Sequence, residues 1–173
     1  MDKNKTVNLM TKVRGGDMDA LREFYDTYAG KIMTAAVYMT KDFNVAEDVV
    51  SIVMEQCWHD DYSNTDNINK LIWQLTKFAV SDFFKYRETR KNTNKPEREI
   101  AAATNISKQH AELKELLWQF EEHDRNILLL YIVFELGFAD IANELGLSVY
   151  EVQERYKNII VLVNNKIKTE GCS

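Results

Sequence analysis

One segment near the middle of the chain combines positive charge with aromatic rings, which is chemistry suited to a nucleic acid. The stretch 71–98 holds seven bases and three acids. Trp73, Lys77 and Lys85 fall within it at helical spacing. Cations neutralise phosphates, and aromatic faces stack on unpaired bases. The pattern therefore favours binding of single-stranded nucleic acid, and the alternative is a helix with core aromatics and solvated lysines.

A second segment, 138–158, has the spacing of a helix-turn-helix. Ala142 is small where two helices would pass closely, Gly146 suits the left-handed turn, and Val152 is a branched apolar residue that would fix the second helix. Ser148 is a suitable N-cap, and Glu151 three residues later predicts a capping box. An ordinary helical hairpin closed by a glycine remains the alternative.

The charge of this C-terminal region opposes strong DNA binding. Residues 111–168 contain ten acids and six bases. Glu154 lies one turn beyond Glu151, and no structural partner for it is evident in the sequence. Because DNA is a polyanion, we predict a helix-turn-helix that reads DNA only weakly.

Residues for a metal site or for catalysis are not arranged in a recognisable pattern. The stretch CWHDD, 57–61, contains metal-binding residue types, but His110 and His123 lie far from it without ligand spacing. A buried thiol at Cys57 is the simpler reading. We predict no metal, no cofactor and no enzymatic activity, because no triad, phosphate loop or carboxylate pair is recognisable.

The whole-chain composition limits the function further. The formal net charge is −5 and the isoelectric point is about 5.3, so any nucleic-acid contact must come from a local patch. The longest apolar run, 127–134, is far too short to cross a bilayer. The N-terminus lacks a signal-peptide pattern. These features predict a cytoplasmic protein with no membrane segment.

The periodicity predicts an all-α fold of two small helical domains joined by a linker. The domains are 1–91 and 111–173, and the linker is 92–110, which contains the chain's one proline. Asp17 and Asn44 are the predicted caps of the second and third helices, with Glu47 completing the second cap. The predicted helices are 5–14, one that follows Asp17, 45–59, 68–90, 111–120, 122–134, 138–145 and 149–167.

Together these segments resemble an RNA polymerase sigma factor of the extracytoplasmic-function group of the sigma-70 family. GDMDALREFYDTY resembles that family's opening region, and VAEDVVSIVMEQCW resembles its polymerase-binding helix. LIWQLTKFAVSDFFKYRETRK resembles the helix that contacts the minus-ten promoter element. DRNILLLYIVFELGFADIANELGLSVYEVQERYKN resembles the domain that reads the minus-thirty-five element. The resemblance covers residues 7–167 and rests on the order and spacing of all four blocks.

The resemblance implies a transcription initiation protein whose partners are core RNA polymerase, promoter DNA and, in some members, an anti-sigma factor. It assigns polymerase binding to Glu47, Asp48, Ser51 and Trp58. It assigns minus-ten phosphate contacts to Lys77, Lys85, Arg87 and Arg90, with Trp73 as a stacking or wedge residue. It assigns major-groove contacts to Tyr150, Gln153, Arg155 and Lys157. On the polymerase-binding helix we expect Asp48 and Ser51 to be exposed, and Val49, Ile52 and Val53 to pack inward.

The chain also departs from the family pattern at several of these positions. Ser51 and Ile52 stand where Gln-Glu is usual, Phe78 stands where Asn is usual, and the recognition helix has Glu151 and Gln153 near the usual Thr and Lys. Two other functions therefore stay open. One is a degenerate sigma-like interaction protein that binds polymerase or a regulator without reading promoters. The other is a regulator that uses only the helix-turn-helix.

Overall fold

The computed structural model of the protein describes residues 3–62, 65–91 and 120–170, and it describes side chains for 8–62, 65–86 and 120–165. Every regular element within these ranges is helical, so the predicted all-α class is confirmed. The chain divides into two compact units, Met1–Thr104 and Asn105–Ser173. The predicted linker 92–110 and nearly all of the predicted helix 111–120 lie outside the described residues.

The described residues of the first unit form four helices, and local signals set where two of them begin. They are α1 (Lys3–Arg14), α2 (Met18–Thr40), α3 (Phe43–His59) and α4 (Ile68–Lys91). Asp17 caps α2 as predicted, because its Oδ1 accepts from the backbone N–H groups of Asp19 and Ala20 at 3.0 and 3.1 Å. The cap of α3 is Asp42 rather than Asn44, and its Oδ1 accepts from the Asn44 N–H at 3.0 Å. Helix α3 therefore begins two residues earlier than predicted.

The core of the first unit lies where α2, α3 and α4 pack together. Helix α2 contributes Phe24 and Tyr28, whose ring centroids are 4.8 Å apart. Helix α3 contributes a buried arc that includes Val49 and Val53, and α4 contributes Ile72. Burial of large side chains on three helices stabilises the unit, and it fixes which face of α3 and of α4 is left on the surface.

The first described helix of the second unit ends in a wider turn. Helix α5 spans Glu122–Leu128 and continues as a π-helical segment, Leu129–Val133, in which the N–H of Phe134 donates to the carbonyl of Leu129 at 3.1 Å. The sequence predicted one uninterrupted α-helix over 122–134. The π-helical segment presents Tyr131 to Phe138, and their rings stack with centroids 5.0 Å apart.

Two further helices complete the described part of the second unit. They are α6 (Phe138–Leu145) and α7 (Val149–Glu170), and their starts agree with the prediction. Their core includes Ile141, Val152 and Ile159, all nearly inaccessible to solvent. Within the described ranges, no helix combines the length and the apolar character that crossing a bilayer requires.

Candidate functional surfaces

The four residues predicted to bind polymerase share one face of α3, which we call the α3 face. Glu47, Asp48, Ser51 and Trp58 recur at helical steps, so their side chains point in similar directions. Glu47, Asp48 and Ser51 are exposed, whereas Trp58 is half-buried. The Ser51 hydroxyl donates to the Glu47 carbonyl at 3.1 Å, so it adds nothing to the core. The α3 face is thus a mixed acidic and aromatic surface that is available to a partner.

The opposite side of α3 was predicted correctly except at one residue. Val49 and Val53 are fully buried as expected, but Ile52 is 38% exposed rather than packed inward. Ile52 lies at the edge of the buried arc and borders the α3 face, where it adds an apolar contact. Cys57 is fully buried, and burial raises the pKa of its thiol to about 12, with the nearby Asp60 carboxylate acting in the same direction.

A groove of about 670 Å³ runs between α2 and α3 and includes part of the α3 face. Trp58 and Met54 line it from α3, and Tyr25, which is 53% exposed, lines it from α2. The charged residues along it are Asp19, Asp26 and Glu55 against Arg22, and His59 also lines it. An apolar floor with a mainly acidic rim suits a protein helix that carries both apolar and basic residues.

The exposed face of α4 carries two of the cations that were predicted to bind nucleic acid, Lys77 and Lys85. We call the residues Gln74, Lys77, Phe78, Ser81 and Lys85 the α4 strip; all are exposed, and they recur at helical steps. Lys85 donates to Asp82 at 3.3 Å, but both side chains are more than half exposed, so solvent screens this pair. Arg87 and Arg90 belong to α4, and their side chains lie outside the described residues.

The structure corrects the placement of Trp73. Its side chain is 2% exposed and belongs to the core of the first unit, because the ring lies on the side of α4 that faces α2 and α3. The Lys77 ammonium lies 5.7 Å from the centroid of that ring. A base cannot stack on a ring buried in this way. The exposed aromatics of α4 are Phe78 at 56%, Phe84 at 39% and Tyr86 at 56%.

The turn between α6 and α7 has the geometry that the sequence predicted. Gly146 has φ of 68°, a left-handed conformation that is costly for residues with a side chain, and its N–H donates to the Ala142 carbonyl. Ala142 is 4% exposed and Val152 is fully buried. The Ser148 hydroxyl oxygen accepts from the Glu151 N–H at 3.1 Å, so Ser148 caps α7.

The first predicted DNA-contacting cation of α7, Arg155, is held by carboxylates of its own unit. Its Nη1 donates to Asp124 of α5 at 3.0 Å, and its Nε donates to Glu151 at 3.2 Å. Arg155 is 33% exposed, and these hydrogen bonds, with Asp124 the stronger, raise the pKa of the guanidinium further. We call these three residues the Arg155 cluster, and it ties α7 to α5.

The two glutamates of α7 therefore have partners that differ from the prediction. The Glu151 carboxylate accepts from Arg155 instead of folding back to Ser148, so only half of the capping box forms. Glu154 is paired as well, because Lys157 donates to its Oε1 at 2.8 Å, and this hydrogen bond raises the pKa of Lys157. Tyr150, which is 72% exposed, and Gln153 are the remaining predicted contacts, and both lie on the surface.

Two features of these surfaces were not predicted from the sequence. The groove needs two helices that are distant in sequence, so no motif within α3 alone could have indicated Tyr25. Phe78 was noted only as a departure from the family pattern. Its four-residue step from Gln74 and seven-residue step to Lys85 place it among polar residues, and that spacing is the signal that could have identified it.

Comparison with known proteins bears on the fold. No protein-family profile matches the sequence, and no curated protein matches it. Among solved structures, the chain is similar to CnrH, an extracytoplasmic-function sigma factor determined in complex with the cytosolic domain of CnrY. The similarity covers 94% of this chain and 97% of that chain, with a TM-score of 0.58 and 14% sequence identity.

The chain has an extracytoplasmic-function sigma-like fold. At 14% identity, this similarity establishes the fold and leaves the partners of each surface to be argued from the side chains.

Proposed function

We propose that the protein is a sigma-type transcription initiation factor, without enzymatic activity, that binds core RNA polymerase and promoter DNA in the cytoplasm. The observation that carries this proposal is that the first unit presents two chemically different surfaces on adjacent helices. The α3 face with its groove suits a protein, and the α4 strip suits a nucleic acid. A factor that recruits an enzyme to DNA needs both kinds of surface.

The α3 face and groove are the proposed site for polymerase. Ser51 and Asp48 are exposed, and Ile52 adds apolar area. Trp58 lines the groove with Tyr25. Large aromatic side chains in such positions often dominate the energy of a protein interface. A partner helix with apolar and basic residues would fill the groove and meet the acidic rim.

The α4 strip is the proposed site for promoter DNA. Lys77 and Lys85 are exposed on it, and the sequence continues beyond them with Arg87, Arg90 and Lys91. This is a basic stretch of an otherwise acidic chain. Phosphate binding by such a cluster is independent of base sequence, so it positions the DNA and leaves sequence reading to other contacts.

A change at the centre of the α3 face tests the polymerase part of this proposal. Ser51→Arg introduces a long cation where the surface is acidic and aromatic, and we expect it to weaken binding to core polymerase about tenfold or more. The thermal melt should stay nearly unchanged, because Ser51 is exposed. Binding is measured by pull-down and titration with core polymerase from the organism that encodes the chain.

Thr34→Arg is the matched control. Thr34 is exposed on α2, away from the groove, and its hydroxyl donates to the Gly30 carbonyl four residues earlier, as that of Ser51 does to Glu47. The control should bind polymerase as the unmodified chain does. Equal loss in both variants, or a large loss of stability in Ser51→Arg alone, would contradict the proposed interface.

A second function is favoured by the Arg155 cluster. If Arg155 stays engaged with carboxylates of the second unit, the protein would bind polymerase or a regulator, such as an anti-sigma factor, without reading promoters. The α6–α7 pair would then be a helix-turn-helix by fold that serves protein contacts. Run-off transcription on genomic fragments with reconstituted polymerase distinguishes this interaction protein from an initiation factor.

A further inference from the structure

Phe78 is a large apolar side chain placed among polar ones. It is 56% exposed at the middle of the α4 strip, with Gln74 one turn before it and Ser81 one turn after it. The core does not need it, because the inward side of α4 is already occupied by Ile72, Trp73 and neighbouring buried residues. Its ring thus has one face or edge available to a ligand.

The charges around Phe78 indicate what that ligand is. Lys77 is its neighbour in sequence, and Lys85 lies seven residues further along the helix, about 10 Å along the axis at 1.5 Å per residue. Both ammonium groups belong to the exposed side of α4 that carries the ring. A strand of nucleic acid running along the α4 strip would therefore place phosphates near the cations while passing over Phe78.

An unpaired base fits this arrangement better than a base pair does. Bases within a duplex are stacked on each other and do not offer their faces to a side chain, whereas unpaired bases stack on aromatic rings. We propose that Phe78 is the stacking platform for an unpaired base of the nucleic acid bound by α4. The inference rests on the proposed function for its biological setting, namely a separated promoter strand, and it assigns to Phe78 the role that Trp73 was expected to have.

The proposal is tested with the full-length chain and fluorescent homopolymeric oligonucleotides, single-stranded and duplex, titrated by anisotropy over a series of salt concentrations. Phe78→Ala should weaken single-strand binding about tenfold. It should leave the salt dependence unchanged, because stacking releases no counterions. Lys77→Ala should instead lower the salt slope by about 0.7, the value for one phosphate contact on a single strand.

Two further variants control for aromatic character and for exposure. Phe78→Trp keeps a stacking face and should restore the affinity. Phe43→Ala removes another partly exposed phenylalanine, at the start of α3, and should have no effect. Since Phe78 is exposed, its variants should keep the native melt, which is checked by circular dichroism.

Several outcomes would overturn the stacking role. One is that Phe78→Ala loses single-strand and duplex binding equally, and another is that its affinity is unchanged. A third is that the unmodified chain does not prefer single strands, either alone or with polymerase. Polymerase pull-down with the same variants separates this inference from the proposed function. If the unmodified chain does not bind polymerase but its single-strand binding still depends on Phe78, the initiation role is contradicted. The base contact is then supported.

Discussion

Helices α4 and α7 are both long, and each carries cations that the sequence assigns to DNA. The cations of the two helices differ in their exposure and ion pairing. On α4, Lys77 and Lys85 are exposed, and the Lys85–Asp82 pair is open to solvent. On α7, Arg155 is 33% exposed and bound to two carboxylates, Asp124 and Glu151. The number of cations on a helix is thus a poor guide to nucleic-acid binding.

The difference lies in what a phosphate must displace. An exposed lysine exchanges weakly held counterions for phosphate, and the release of these ions favours binding. A guanidinium that already makes charge-assisted hydrogen bonds must break them first, and the carboxylates left behind repel the DNA. We therefore expect the solvent-exposed lysines of the α4 strip to be more accessible to a polyanion than Arg155, which is tied to Asp124 and Glu151.

Removal of the α4 cations is expected to have the largest effect. In the variant with Lys77, Lys85, Arg87 and Arg90 all changed to Ala, promoter DNA binding by the polymerase complex should weaken. Its salt slope should fall by about 3 if all four contact phosphate, at 0.7 to 0.9 per contact. The double variant Arg155→Ala/Lys157→Ala is the comparison, and its slope should change little. An equal fall in both variants would mean that the two helices do not differ.

Reversal of one charge on α7 is expected to have an intermediate effect. Glu154→Lys removes the partner of Lys157 and adds a second cation, so duplex binding should tighten about tenfold at low salt, with a smaller gain at high salt. The measurement is a titration of the full-length chain with duplex DNA. Glu122→Lys, an exposed position on α5, makes the same change in net charge and should gain less.

Equal gains in Glu154→Lys and Glu122→Lys would show that only net charge matters. No gain in Glu154→Lys would show that this face of α7 does not meet DNA. The latter result would favour the interaction protein over the initiation factor.

Disruption of the Arg155 cluster is expected to have the smallest effect, on stability rather than on DNA binding. Arg155→Ala should lower the free energy of unfolding of the second unit by about 1 kcal/mol, the size of a hydrogen bond to a charged group discounted for partial exposure. Arg155→Lys should recover only part of this, because lysine lacks the planar fork. Hydrogen exchange of the α5 and α7 amides gives the measurement. If hydrogen-exchange protection were unchanged in Arg155→Ala, the Arg155 cluster would not stabilise the second unit. Arg155 would then remain a predicted DNA contact.

Several parts of the fold could be predicted because they depend on neighbouring residues. The cap at Asp17, the left-handed turn at Gly146 and the start of α7 after Ser148 each arise from hydrogen bonds or backbone preferences within a few positions. The α3 face was also predictable, since helical periodicity separates Ser51 from Val49 and Val53. The cap at Asp42 was not predicted, because Asn44 two residues later has a side chain equally suited to capping.

The sequence by itself determined the helical class, the position of most helix ends and the basic character of α4, because periodicity, capping and charge are local properties. Only the tertiary structure decided which aromatics of α4 are exposed. Trp73 belongs to the core formed with α2 and α3, whereas Phe78, like Phe84 and Tyr86, remains on the surface. It likewise decided the role of Arg155, since Asp124 lies 31 residues away in sequence and only the packing of α5 against α7 brings the two together. Burial and long-range ion pairs depend on how helices pack, and helical periodicity does not record that packing.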